Sequence, residues 1–184
     1  MNIKGTAVRA FLQFIDEKYP NYYDEWLSRL QGDSKRYFFQ TILPSEWYPL
    51  YETAVAPLEV LASVLDVKKE DLAFEVGRYS ARVALTGVYK FFASLAKPTY
   101  IIKRGSIMFK TYYDPAEVDY EILGVNEVMF MFGRHQEKET LIYHRVRGWI
   151  FELTFITQKV EPTVDFSIID HMNGLFSGKF IVKW

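Results

Sequence analysis

Three histidines, no cysteine and a single Gly-Arg-Tyr-Ser run are the places where this chain could carry metal, acid–base or nucleophilic chemistry. His135 and His171 fall in turn-like segments, and His144 sits beside Arg145 and Arg147 on what reads as a solvated helix face. A metal would need these imidazoles to converge with carboxylates such as Asp165 or Asp170, and ligand spacing of the zinc-site kind is absent. No metal is expected. Ser80 follows Gly77-Arg78-Tyr79, but it lacks the Gly-x-Ser-x-Gly elbow and a strand before it, so it reads as a small packing residue. The carboxylate pairs Asp16/Glu17 and Glu137/Glu139 read as exposed charge, and no Gly-rich phosphate loop occurs. Arg78 and Arg82, one helical turn apart, could take an anion; pairing of an arginine with Glu75 across the helix is the simpler use. Without cysteine there are no disulfides, thiol nucleophiles or iron–sulfur ligands. No catalytic residue is assigned, and the chain is expected not to be an enzyme.

Binding is what remains. Aromatic residues make up 17% of the 184, with 15 Phe and 13 Tyr, and such rings can line a pocket as well as fill a core. The formal net charge of −1, from 22 basic and 23 acidic residues, provides no footprint for nucleic acid or anionic lipid. No apolar run reaches the roughly 18 residues of a membrane span. Residues 1–20 carry Asp16 and Glu17 and lack a signal peptide's apolar region. A cytoplasmic protein is expected.

The elements that would position a site follow from periodicity. Ala7, Val8, Phe11, Leu12, Phe14 and Ile15 recur at three- and four-residue spacing and predict a helix over 4–18. Short helices follow at about 22–30 and 35–43, the first stopped at Gly32 and the second capped by Asp33-Ser34. Ser45-Glu46-Trp47-Tyr48-Pro49 reads as a connection. A helix over about 50–65 contains Pro57, which should kink or restart it. A long helix over about 69–96 carries Gly77 and Gly87 within its apolar stripe. Each costs about 1 kcal/mol relative to Ala inside a helix, so a neighbouring backbone or a ligand should come close there. A further helical segment spans about 99–112.

Beyond Pro115 the period changes. Val118, Tyr120 and Ile122 alternate with Asp119 and Glu121 as in a strand, and Val128–Phe132 is its partner. Residues 137–157 return to helical spacing, with Ile142, Val146, Trp149, Ile150 and Leu153 on one face. The C-terminal hairpin has two registers to choose from. A two-residue turn at Asn173-Gly174 scatters the apolar side chains. A three-residue loop, Met172-Asn173-Gly174, places Phe180 opposite Phe166 and Val182 opposite Val164, and gathers them on one face. The predicted fold is α+β in a single domain over 1–184. Helices fill about 4–112; hairpin, helix and hairpin form an antiparallel sheet over about 117–184.

This order of elements resembles the superfamily of haem nitric-oxide/oxygen-binding domains, 4-vinyl reductase domains and TRAPP-type trafficking subunits. Lys4-Gly5-Thr6 at the first helix and Glu75-Val76-Gly77-Arg78 before an aromatic-rich helix are similar to blocks of the haem-binding members. Ser45-Glu46-Trp47-Tyr48-Pro49 with Gly77-Arg78-Tyr79-Ser80-Ala81 is most similar to a paralogous family of unknown function abundant in Myxococcus and its relatives. The haem-binding members use a proximal His after the Gly-Arg helix, and no His occurs between Lys97 and Tyr113. Their Tyr-x-Ser-x-Arg propionate motif has as its counterpart Tyr112-Tyr113-Asp114-Pro115, which lacks Ser and Arg. Haem is therefore not expected.

Two functions stay open. The resemblance implies a regulatory or sensor-like domain enclosing a small apolar ligand, or a protein-interaction scaffold, homodimeric through helical faces. For the first, Tyr79, Val83, Tyr89 and Phe92 are the candidate wall residues. The long helix, the segment after Pro98 and the C-terminal hairpin would surround the pocket. The alternative for each residue is plain core packing.

Overall fold

Three- and four-residue spacing of Ala7, Val8, Phe11, Phe14 and Ile15 produces helix α1, Gly5–Lys18, whose buried stripe is made of these residues with Gly5 and Ala10. Here the chain is described by a computed structural model over residues 1–86, 107 and 109–184. Phe11 meets the ring of Trp26 edge-on at 5.8 Å, and the buried Trp26 indole donates to the Pro57 carbonyl at 2.8 Å. Trp26 lies on α2, Tyr23–Arg29.

Helix α3 occupies Gly32–Phe38, three residues earlier than expected at its start and five shorter at its end. Residues 39–46 leave the helix because their carbonyls have another use. The N–H groups of Gly5 and Thr6, at the open start of α1, donate to the Glu46 and Pro44 carbonyls at 2.9 and 3.2 Å. Gly5 is required there, since a Cβ would stand 2.0 Å from the Leu43 carbonyl oxygen.

A small sheet is absent from the sequence-based expectation. Strands β1 (Asn2–Lys4), β2 (Trp47–Pro49) and β3 (Tyr113–Asp114) pair antiparallel in the order β2-β1-β3, so Trp47–Pro49 is a strand rather than a connection. Pro57 acts as expected. A π-helical turn at Tyr51–Val55 precedes α4, Ala56–Leu65, and the proline sits in the first turn of α4, where its missing N–H costs nothing.

Helix α5 covers Lys69–Thr86, and α6 covers Ile142–Gln158. They touch backbone to backbone. A Cβ on Gly77 would lie 1.9 Å from the Arg145 carbonyl oxygen, and one on Gly148 1.9 Å from that of Phe74. The close approach expected at Gly77 is thus made by a neighbouring backbone; Gly87 lies outside the described residues. Beside the contact, the Glu152 carboxylate, 4% exposed, accepts from Arg78 Nε at 2.8 Å and Arg82 Nη1 at 3.2 Å. Both arginines are therefore committed to a structural carboxylate that periodicity does not reveal; the expected Glu75 contact with Arg78, at 3.3 Å, is an addition to it.

The second sheet is antiparallel in the order β4-β5-β7-β6, with β4 at Val118–Gly124, β5 at Glu127–Gln136, β6 at Thr163–Asp170 and β7 at Leu175–Lys183. Phe166 faces Phe180 and Val164 faces Val182, the register that gathers the apolar face. Its loop differs from the expected turn in one respect: Met172 and Gly174 both have positive φ, 58° and 75°. The inward face, with Val128, Phe130, Phe132, Phe180 and Val182, joins the core formed with α1, α5 and α6. The architecture is α+β. Among the described residues no helix is long and apolar enough to cross a membrane.

Candidate functional site

A cavity of about 380 Å³ opens between α1, α5, α6 and residues 109–113. Helix α1 brings Ala7 and Ala10, whose short side chains leave the space, and puts Thr6, Arg9 and Gln13 at the solvent-facing rim. Helix α5 adds Ser80, Val83 and Ala84, and α6 adds Arg145, Val146 and Trp149. Phe109, Tyr112 and Tyr113 close the far side; Phe109 lies 5.7 Å from the Trp149 ring and 6.2 Å, stacked, from Tyr113. The wall is mostly apolar with a few convergent polar groups, the make-up of a small-molecule site.

Arg145 is the unusual member. Read in the sequence as part of a solvated face, it is 3% exposed. Its Nη2 donates to the Ala7 carbonyl at 2.8 Å and to Ser80 Oγ at 3.2 Å, while Nη1 is buried without a partner. Burial lowers the guanidinium's pKa, and the Tyr113 phenol opposes that shift. Burial in turn raises the pKa of Tyr113. Ser80 is therefore a link between α5 and Arg145, with its own hydroxyl donating to the Val76 carbonyl at 2.8 Å.

A second polar cluster lies away from the cavity. His135, expected in a turn, is fully buried on β5 at an irregularity between Phe132 and His135. Its ring folds back over Gly133 (φ 69°), where a Cβ would stand 2.0 Å from the imidazole. Tyr143 donates to the Phe176 carbonyl, so its oxygen accepts from His135 Nδ1–H at 2.8 Å, and Nε2 is left as a buried lone pair. Burial drives the imidazole pKa down to about 3. Removing the hydroxyl in Tyr143→Phe strands both partners, and thermal or urea unfolding should show a loss of about 2 kcal/mol.

Ser177 and His171 are also paired, Nε2 to Oγ at 2.7 Å. The serine proton is spent on the Gly133 carbonyl, so the imidazole donates to the hydroxyl and this is no nucleophile–base pair. Among the described residues no group of three His, Asp or Glu side chains converges as a metal site would require.

Of the four candidate wall residues, Val83 lines the cavity. Tyr79 does not; its ring packs on Phe14 at 5.4 Å. Tyr89 and Phe92 lie outside the described residues, as does the segment 99–106. The C-terminal hairpin is not in the wall. Helix α1 and Arg145 were missed, and the one available signal for them was the run of small residues at 7 and 10 within an otherwise bulky stripe.

No family model and no curated protein matches the chain. Solved structures do. An Fe(II) unliganded H-NOX protein from K. algicida superposes with a TM-score of 0.74 at 15% identity, covering 98% of this chain and 96% of that one. H-NOX of T. tengcongensis, in a mutant form, gives 0.71 at 16% over 98% and 97%. An S. oneidensis H-NOX protein in the Fe(II)NO state gives 0.68 at 12% over 97% and 98%. Other structures of this kind concern haem distortion in the H-NOX family.

This likeness corrects the expectation that haem would be absent, because the proteins sharing the fold are haem proteins. The stretch 112–115 has no guanidinium of its own, but Arg145 of α6 lies beside Tyr113, and Asp114 is exposed in the small sheet. Along nearly its whole length, the chain has the fold of the H-NOX proteins.

Proposed function

We propose that this chain is a ligand-sensing domain rather than an enzyme, and that the cavity between α1, α5 and α6 holds a flat, largely apolar molecule with an acidic edge. Haem, carried by proteins of the same fold, is the first candidate. The observation behind the reading is the cavity itself: about 380 Å³ of apolar space with a buried guanidinium in its wall.

The residues present fit haem in its two chemical parts. Phe109, Val146 and Trp149 offer apolar surface to a macrocycle, and Arg145 with Arg9 at the rim offers guanidinium donors to propionates. No histidine lines the cavity among the described residues. Tyr112 does, and a tyrosine oxygen is one of the ligand types haem proteins use for iron. When bound, haem would supply an iron centre able to take a diatomic gas. The chain's own residues would hold the carboxylates, exclude water and limit what reaches the centre. The scaffold reading, with a homodimeric or partner-binding face, has no comparable observation behind it.

Haemin added to the purified protein should give a Soret band that co-elutes with it in gel filtration at one equivalent. Val83→Trp, which fills the cavity with an indole, should abolish retention while leaving the circular dichroism unchanged. Wild-type protein that elutes free of haemin would overturn haem as the ligand.

A further inference from the structure

We infer that Arg145 is a receptor for one carboxylate of an organic acid with an apolar body, inside the cavity. The inference rests on the ligand-site reading above and names the chemistry of the ligand.

A guanidinium keeps its proton in any protein environment, so Arg145 brings a full positive charge to a place only 3% exposed. Buried charges are paired, because an unpaired one forfeits its hydration. Among the described residues the chain does not provide that pair. The Tyr113 phenol is the one titratable group there acting on Arg145, and its own burial keeps it protonated and neutral. Glu152, the nearest acid in sequence on α6, is taken by Arg78 and Arg82. Residues 87–108 contain no Asp or Glu at all. The counter-charge must therefore come from outside the chain.

Nη2 is occupied by the Ala7 carbonyl and Ser80, while Nη1 is buried without a partner on a residue that lines the cavity. A carboxylate reaching it from the cavity would complete the pair. One buried positive charge is neutralised by one carboxylate; a second acid group, as on haem, would have to lie at the rim, where Arg9 stands. Around Arg145 the wall is Val83, Phe109, Val146 and Trp149, which suits a hydrocarbon or aryl body. The polar side chains Thr6, Arg9 and Gln13 stay at the rim. A molecule entering head first thus finds its carboxylate partner at depth and apolar contact behind it.

Calorimetric titration with 1-naphthoate and with its neutral analogue 1-naphthylmethanol tests this on the whole chain. In the wild type the acid should bind at least tenfold more tightly than the alcohol. Arg145→Met should remove that preference, and Arg145→Lys should keep part of it. Equal affinities of acid and alcohol in the wild type overturn the inference and leave the cavity reading intact. An acid preference that survives in Arg145→Met also overturns it, because the head group is then held elsewhere. If neither probe binds, this inference falls, and retention of haemin decides the ligand-site reading separately. Should Arg145→Met fail to fold, Arg145→Lys decides: an unchanged acid preference there overturns the inference, and a reduced one supports it. The same comparison with haemin separates the sources of the carboxylate. Loss of both affinities in Arg145→Met points to a propionate as well as a free acid, loss of naphthoate alone to a free acid; either supports Arg145 as the receptor.

Discussion

Alanine in place of Gly148 is expected to destabilise the protein by about 3 kcal/mol, a large effect for one added methyl group. The new Cβ would stand 1.9 Å from the Phe74 carbonyl oxygen, and that atom belongs to the α5 backbone rather than to a flexible side chain. Relief requires the two helices to separate, which also loosens the Glu152–Arg78–Arg82 contacts beside them. Gly77→Ala should behave alike, since its methyl would meet the Arg145 carbonyl at the same distance. Both changes wedge one interface, so the double variant should cost clearly less than the sum of the singles. Urea denaturation midpoints measure all three. Midpoints that stay put would show that the helices do not meet through their backbones.

Acidification should unfold the protein early, and His135 is the reason. In the unfolded chain its imidazole takes up a proton near its ordinary value of 6.5; in the fold burial holds it down to about 3. The unfolded state therefore binds more protons throughout that window, and stability falls as pH falls from about 6.5 toward 3. One such group gives a slope of at most about 1.4 kcal/mol per pH unit. His144, half-buried and lowered mainly by burial, acts in the same direction. Carboxylates contribute at the lower end, but they are common to wild type and His135→Leu and cancel in the difference. The difference between the two stability curves, taken from pH 7 to 4, should slope as stated. A flat difference would mean that the folded protein protonates His135 freely.

The parts legible in the sequence are those written in a repeating pattern. Val164 and Phe166 against Phe180 and Val182 determine the hairpin register because a one-residue slip would turn every apolar side chain outward. Gly77 stood out because it interrupts an apolar stripe. Its counterpart Gly148 did not, since Val146, Trp149 and Ile150 keep the stripe of α6 continuous around it. Strands β1, β2 and β3 are two or three residues long, too short to show a period, and they exist through pairing with residues far along the chain. Arg145 reads as solvated because charged residues flank it, and His135 reads as part of a turn; nothing local reports that the packed helices and the sheet close over them. The haem expectation failed similarly: it compared residues in one short stretch, whereas the fold brings Arg145 from α6 beside Tyr113.

The order of the larger sheet has a consequence for what can attach to it. Strands β4 and β6 are its two edge strands among the described residues, and their outer backbone groups are where strand addition would take place. β4 carries Asp119 and Glu121, β6 carries Asp165 and Asp170, and neither strand contains a lysine or arginine. Although the chain is close to neutral as a whole, both edges have the same sign. A second copy approaching edge to edge therefore meets its own charge, which opposes fibre-like stacking, while a basic peptide strand would meet the opposite one.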